Sequence, residues 1–122
     1  MTARLARLML REGDWEGRRL ISRAAVGAVT SDAGLPGSGA IGWWSNNDGA
    51  AVSLPRDANW GAGAQHQLVL VIPSVNVIAV RNGGALADSN YDNARDTLFF
   101  QPLMKSDRRR GRGTRVSPLP WI

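Results

Sequence analysis

Apolar positions along the chain change period three times, and each change marks an element. Near the N-terminus Leu5, Leu8 and Met9 fall at i, i+3 and i+4, the spacing of one helix face. A helix over residues 3–12 is predicted, capped by Thr2 and ended by Gly13, with those three residues as its buried stripe. Asp14-Trp15-Glu16-Gly17 reads as a turn, residues 18–21 as a short extended piece, and Ser22 as the cap of a brief helical turn. The segment "TSDAGLPGSGA", residues 30–40, is an exposed loop by its Gly, Ser and Pro content.

From residue 41 the pattern becomes strand-like. Residues 41–45 form a strand, with one ring of the Trp43-Trp44 pair inward and one outward. Asn46-Asn47-Asp48-Gly49 reads as a hairpin turn, with residues 50–54 returning. Residues 60–72 read as one long strand or two with a kink, residues 73–76 as a turn, and residues 77–81 as the strand running back. Asn82-Gly83-Gly84 breaks the pattern. Residues 92–105 then read as a helix, with Ala94, Leu98 and Phe99 inward and Pro102 placed to kink or shorten it. The expectation is an α+β domain over residues 1–105: an antiparallel meander flanked by N-terminal and C-terminal helices, with no internal repeat. Residues 106–122 carry Arg, Gly and Pro without an apolar period and read as a disordered or loosely draped tail.

Composition narrows the function classes. At 122 residues and 43% hydrophobic content the chain suits one globular domain with a modest core. No apolar run reaches the roughly 20 residues of a membrane span, and the N-terminal arginines have no cleavage site behind them, so no signal peptide is read. The chain has no cysteine, which excludes disulfides and Cys-based metal sites and leaves the compartment open. The net charge of +5 sits entirely in Lys105, Arg108, Arg109, Arg110, Arg112 and Arg115, offset by Asp107, because residues 1–104 hold nine basic and nine acidic side chains. A general nucleic-acid face is therefore not expected. The alternative is a small basic protein that binds nucleic acid through the Arg-Gly segment "RRRGRGTR".

Candidate chemistry is sparse. There is one histidine, His66, and one lysine, Lys105. No G-x-S-x-G, no Ser followed by Lys at i+3, and no G-x-x-x-x-G-K-[ST] phosphate loop occurs. A single His with no second ligand of its kind gives no metal site, and no cofactor is implied. His66 reads first as a strand-entry histidine satisfied by water or backbone, and second as a donor lining a cleft. Trp60 reads as core.

Four stretches together resemble one family. "MTARLARLMLREGDWEGRRLIS" is similar to the segment M-[ST]-x-R-D-L-A-R-x-G-x-L-x-L-x-x-G-x-W-x-G of serine β-lactamase-related hydrolases and penicillin-recognising esterases. "GWWSNNDG" resembles their Y-G-Y-x-W-W-x-N strand. "LPRDANWGAGAQHQLVLVIPSVNVIAVRNGG" resembles their P-x-D-A-F-x-A-x-G-A-G-x-Q-x-x-x-V-x-P-S-x-x-L-V-V-V-R segment, and "LFFQPLM" their closing helix. The order and spacing of the four hold over residues 1–104.

The resemblance implies a partial β-lactamase/transpeptidase-like fold and hydrolysis of small-molecule esters or amides. In that family S-x-x-K supplies nucleophile and base, a Tyr motif follows, and a third motif lies on a sheet strand. Counted back from Pro73 the third motif falls on Gly61-Ala62-Gly63, beside Trp60 and His66, all then expected to border substrate. Small residues there would let a substrate approach the backbone. Ala64 would offer its backbone N–H to the oxyanion, a donor worth roughly 3 kcal/mol in an acyl-transfer transition state. S-x-x-K is absent, and Gly61 stands where the third motif has Lys or His. Tyr91-Asp92-Asn93 spells Y-x-N but follows the third motif, and Asn90 or Asp92 reads there as a helix cap. The resemblance therefore implies a C-terminal part that is inactive alone, whose partner is a missing N-terminal part of the same hydrolase.

Overall fold

The structure is a computed structural model; it describes residues 1–34, 39–40 and 42–110, the side chain of residue 110 excepted. It is an α+β arrangement in which a four-stranded antiparallel meander lies between an N-terminal and a C-terminal helix. The strands are β3 (Trp44–Ser45), β4 (Asn59–Gly63), β5 (Gln67–Ile72) and β6 (Val77–Arg81), in that spatial order. Helix α1 (Thr2–Leu10) covers one face. A helical run of α3 (Tyr91–Arg95), a π turn (Asp96–Phe100) and α4 (Gln101–Arg110) covers the other.

Strand β5 explains the layering. Its run QLVLVI is apolar at every position after the first because both faces are covered. Leu68, Leu70 and Ile72 point to the C-terminal helix, with Trp60, Phe100 and Met104. Val69 and Val71 point to α1, where they meet Ala6. Burying one such side chain fully contributes about 1.5–3 kcal/mol, so β5 anchors both layers.

The helices depart from the sequence pattern in instructive ways. In α1 the buried residues are Ala6 and Met9, with Leu10 beside them, and Leu5 is half exposed. The face toward the sheet is thus rotated by about one residue from the predicted stripe. The helix ends on Glu12, the left-handed residue at φ 55°, with Gly13 N–H bonded to Leu8 O at 2.9 Å and Glu12 N–H to Met9 O at 3.0 Å. Gly13 is required for space instead: a Cβ there would lie 1.9 Å from Ile21 O.

Glu16 and Gly17, at φ 52° and 82°, close a two-residue hairpin between β1 (Asp14–Trp15) and β2 (Arg18–Arg19). Ser22 caps α2 (Arg23–Thr30) by accepting from Ala25 N–H at 3.1 Å, and the helix runs eight residues where only a turn was expected.

In the C-terminal run Pro102 cannot donate to the carbonyl four residues back, and the helix widens into the π turn just before it. Ala94 is buried as expected, but the inserted residue sets the next buried positions at Phe100 and Met104, which takes Leu98 off the core. Helix α4 continues to Arg110, five residues past the expected boundary, and residues 111–122 of the predicted tail lie outside the described residues.

Two predicted strand features are corrected. Residues 46–49 do make a turn, Gly49 N–H donating to Asn46 O at 2.9 Å, but it closes no hairpin, because residues 50–54 do not return as a strand; β3 pairs instead with β4, Trp44 opposite Trp60 and Ser45 opposite Asn59. Asn46 is fully buried and organises the loop through its side chain. Its amide donates to Ala51 O, Leu54 O and Pro55 O at 3.0–3.1 Å, and its oxygen accepts from Ala51 N–H at 2.9 Å.

Residues 60–72 form two strands, as one of the two expectations had it, but a full reversal and not a kink joins them. The chain reverses over Ala64–His66, so that Gly63 faces Gln67 and Trp60 faces Leu70. Gln65 and His66 sit at φ 59° and 60°, a conformation uncommon for any residue but glycine, though less so for histidine than for glutamine. Arg81 holds the turn by donating to His66 O at 2.9 Å and Gln65 O at 3.4 Å.

Candidate functional site

Strand β4 and the start of the C-terminal helix frame the concave surface of the molecule. Alternation along β4 divides the predicted site residues between two faces. Trp60 and Ala62 point to the C-terminal helix. Gly61 and Gly63 point to the α1 side, where their absent Cβ atoms would meet Val69 Cγ1 at 3.0 Å and Gln67 Cβ at 3.3 Å. Residues 61–64 are half buried or exposed and do not sit in the packed core.

On the helix side a groove of about 490 Å³ runs between Trp44, Ala51, Val52, Trp60, Ala62 and Arg95. A second, of about 380 Å³, lies against Ala62, Gly63, Ala64, His66, Tyr91 and Arg95. The two share Ala62 and Arg95. On the α1 side a smaller groove of about 270 Å³ touches Gly61, Gly63, Gln67 and Asn82.

Arg95 is the main group that sequence reasoning missed, because an arginine on a helix reads as a solvated charge. Its guanidinium carbon stands 5.2 Å from the ring centres of both Trp60 and Phe100. One terminal nitrogen reaches Asp92 Oδ1 at 3.2 Å, but the Asp92 side chain is 87% exposed, while that of Arg95 is 20% exposed. Such an exposed pair contributes about 0–1 kcal/mol. Arg95 Nε and Trp60 Nε1 are both buried without a hydrogen-bond partner. Buried donors left unmade cost about 1–3 kcal/mol each. Two residues that line the same groove therefore carry unmet donors, one with a positive charge. Both atoms are closed off from solvent; what the groove presents is the partly exposed Arg95 side chain, with Trp44 and Val52 as an exposed apolar rim.

Asp96, the other missed residue, is already occupied. Ser53 Oγ donates to Oδ1, and Gln101 Nε2 donates to Oδ2 at 2.7 Å. These contacts tie the loop of Asn46 to the helix.

His66 is 6% exposed, and backbone groups take both of its nitrogens. Nδ1 accepts from Leu86 N–H at 3.1 Å, so the proton lies on Nε2, which donates to Tyr91 O at 3.3 Å. The ring packs against Tyr91 at 4.3 Å between centres. This is the backbone-satisfied histidine of the first sequence reading; with both nitrogens committed, the ring has no donor to offer a ligand. Trp60 is core, 2% exposed, and reaches the groove as part of its wall. Ala64 opens the turn, and its carbonyl accepts from Gln67 N–H. Asn90 caps the last helix through Oδ1, to Asn93 N–H at 3.3 Å, so the Y-x-N spelling of residues 91–93 falls on a helix start.

Among the described residues no group of three His, Cys, Asp or Glu side chains could hold a metal ion, and no helix is long and apolar enough to cross a membrane. Of the Arg-Gly segment, only residues 108–110 fall within the described helix. Compared with protein-family models and with curated proteins, the chain matches none.

Proposed function

We propose that the chain is the substrate-cleft part of a serine β-lactamase-related hydrolase acting on small esters or amides, with nucleophile and base supplied by a separate N-terminal part. The observation that carries the reading is an open groove beside a strand of small residues, walled by Trp60 and by the guanidinium-bearing Arg95. A substrate lying along β4 would present oxygen atoms to the Arg95 guanidinium, with Trp60 as wall, and its reacting carbonyl to the turn at Ala64. Ala62 leaves room between them.

The roles divide physically. Arg95 and Trp60 orient the acyl part, a positioning effect. The Ala64 N–H would stabilise charge as it develops on the carbonyl oxygen. Neither supplies a proton acceptor or a nucleophile, and His66 is held by backbone on both sides. Catalysis by the chain alone is therefore not expected.

The DNA upstream of the Met1 codon tests the reading. A stretch encoding S-x-x-K in any frame, followed by a Tyr motif, is the expected result. An unrelated gene directly abutting the Met1 codon, with no such stretch in the same genome lacking its own C-terminal part, would remove the basis for the proposal.

A further inference from the structure

The charges around the larger groove do not balance. Of the described residues that line it, Arg95 brings one positive charge, while Asp92 and Asp96 bring two negative ones. Asp92 Oδ1 lies 3.2 Å from a terminal nitrogen of Arg95, so the one cation already faces an anion. Asp96 is held by Ser53 Oγ and Gln101 Nε2, and neither of those groups carries a charge to offset its own. The Arg95 side chain is clasped between the rings of Trp60 and Phe100, which fixes where the positive charge stands.

A carboxylate entering this groove would have to take Arg95 from Asp92 and lie near Asp96. Like charges at that range repel, and at a solvated rim salt screens the repulsion only in part. An uncharged group meets neither obstacle. It needs apolar surface, and the exposed rings and methyls of Trp44 and Val52, with Ala50 and Ala51, supply it. The volume of about 490 Å³ falls in the range of small-molecule sites, roughly 300–1,000 Å³.

We infer that the groove selects substrates whose acyl group is apolar and uncharged, seated on Trp44 and Val52, and that Asp92 sets this selectivity by occupying Arg95 and keeping the groove one negative charge in excess. An ester or amide oxygen, being neutral, can still accept from the Arg95 guanidinium. The inference rests on the hydrolase reading for naming the bound part an acyl group, but binding needs no nucleophile.

Titration of the full chain with two esters of the same acyl length tests it, read by NMR at the Trp44 indole and Val52 methyl signals. Ethyl hexanoate ends in a methyl group, and monoethyl adipate ends in a carboxylate. Ethyl hexanoate should shift both signals, and ethyl acetate at equal concentration neither. Monoethyl adipate should bind at least about threefold more weakly than ethyl hexanoate. In Asp92→Asn the adipate should gain about three- to fivefold, and the hexanoate should bind as before. Val52→Glu, at an exposed position, should weaken the hexanoate. Should Asp92→Asn fail to fold, the wild type decides, because about 0.5 M sodium chloride should narrow the gap between the two esters. Adipate binding as tightly as hexanoate, a ratio that Asp92→Asn leaves unchanged, or hexanoate leaving Trp44 and Val52 unmoved up to saturation would overturn the inference. Equal affinity for both esters in a chain whose upstream DNA encodes S-x-x-K would sink this inference alone. Selective binding in a chain with no such stretch in its genome would sink the hydrolase reading alone.

Discussion

Asn46→Ala should be among the most damaging polar substitutions in the chain. The side chain is fully buried and its amide lies within 3.0–3.1 Å of three carbonyls, while its oxygen takes the Ala51 N–H at 2.9 Å. Three protons are therefore shared in the network: two from the amide and one from Ala51. At about 1 kcal/mol net per hydrogen bond the loss is about 3 kcal/mol, against a total stability of roughly 5–15 kcal/mol for a domain of this size. The melting temperature should fall by about 12 °C, taking ~4 °C per kcal/mol.

Asn46→Asp should be worse, because it keeps the acceptor, loses the donors and sets a carboxylate against three carbonyl oxygens. Asn47→Ala is the control. Asn47 is exposed and bonds only Asp32 N–H and Arg56 O through its side chain, so its loss should cost about 0.5 kcal/mol. Urea unfolding followed by tryptophan fluorescence reads all three variants. Asn46→Ala within about 1 kcal/mol of wild type at unchanged m-value would refute the claim that this amide organises the loop.

Gly13→Ala should cost about 3 kcal/mol, since a Cβ would lie 1.9 Å from Ile21 O at φ +91°; Gly17→Ala, at φ +82° in open space, should cost about 1 kcal/mol. Thermal melts separate the two. His66→Phe should cost about 2 kcal/mol by leaving Leu86 N–H and Tyr91 O unpaired, and hydrogen exchange at the Leu86 amide should accelerate. Arg95→Met should change stability by less than about 1 kcal/mol, because the lost ring contacts are offset by removal of a buried donor without a partner. A large destabilisation in urea melts would make Arg95 a structural residue.

The fold was legible where burial is two-sided or periodic. The run in β5 and the Pro-Ser turn before β6 could be read directly, because an apolar run covered on both faces and a proline-led turn carry local signals. Three features were hidden for physical reasons. Asn46 reads as a turn residue and is one, but its buried side chain also holds the loop that follows, which sequence alone does not distinguish. The reversal at residues 64–66 lacks any glycine at the two positive-φ positions, and Arg81, fifteen residues beyond His66, holds it in place. The π turn shifts the helix register, so Leu98 looks inward by spacing and is exposed in fact. Of the candidate site, Ala62, Gly63 and Ala64 were placed by the family resemblance, and they border grooves. Arg95 was not found, because only its place between two rings distinguishes it from a surface charge.

The central claim is that β4, the turn at Ala64 and Arg95 form one side of an acyl-transfer cleft whose nucleophile lies elsewhere. Co-expression of the full chain with the S-x-x-K-bearing N-terminal part of an active β-lactamase-related esterase tests this most directly, read as hydrolysis of p-nitrophenyl acetate. The prediction is no hydrolysis above a heat-treated control by either piece alone, hydrolysis by the two together, and its loss when the chain carries Ala62→Trp, which would fill the groove shared by Ala62 and Arg95. Hydrolysis by the chain alone, or two folded, soluble pieces that neither associate nor hydrolyse the ester, would contradict it.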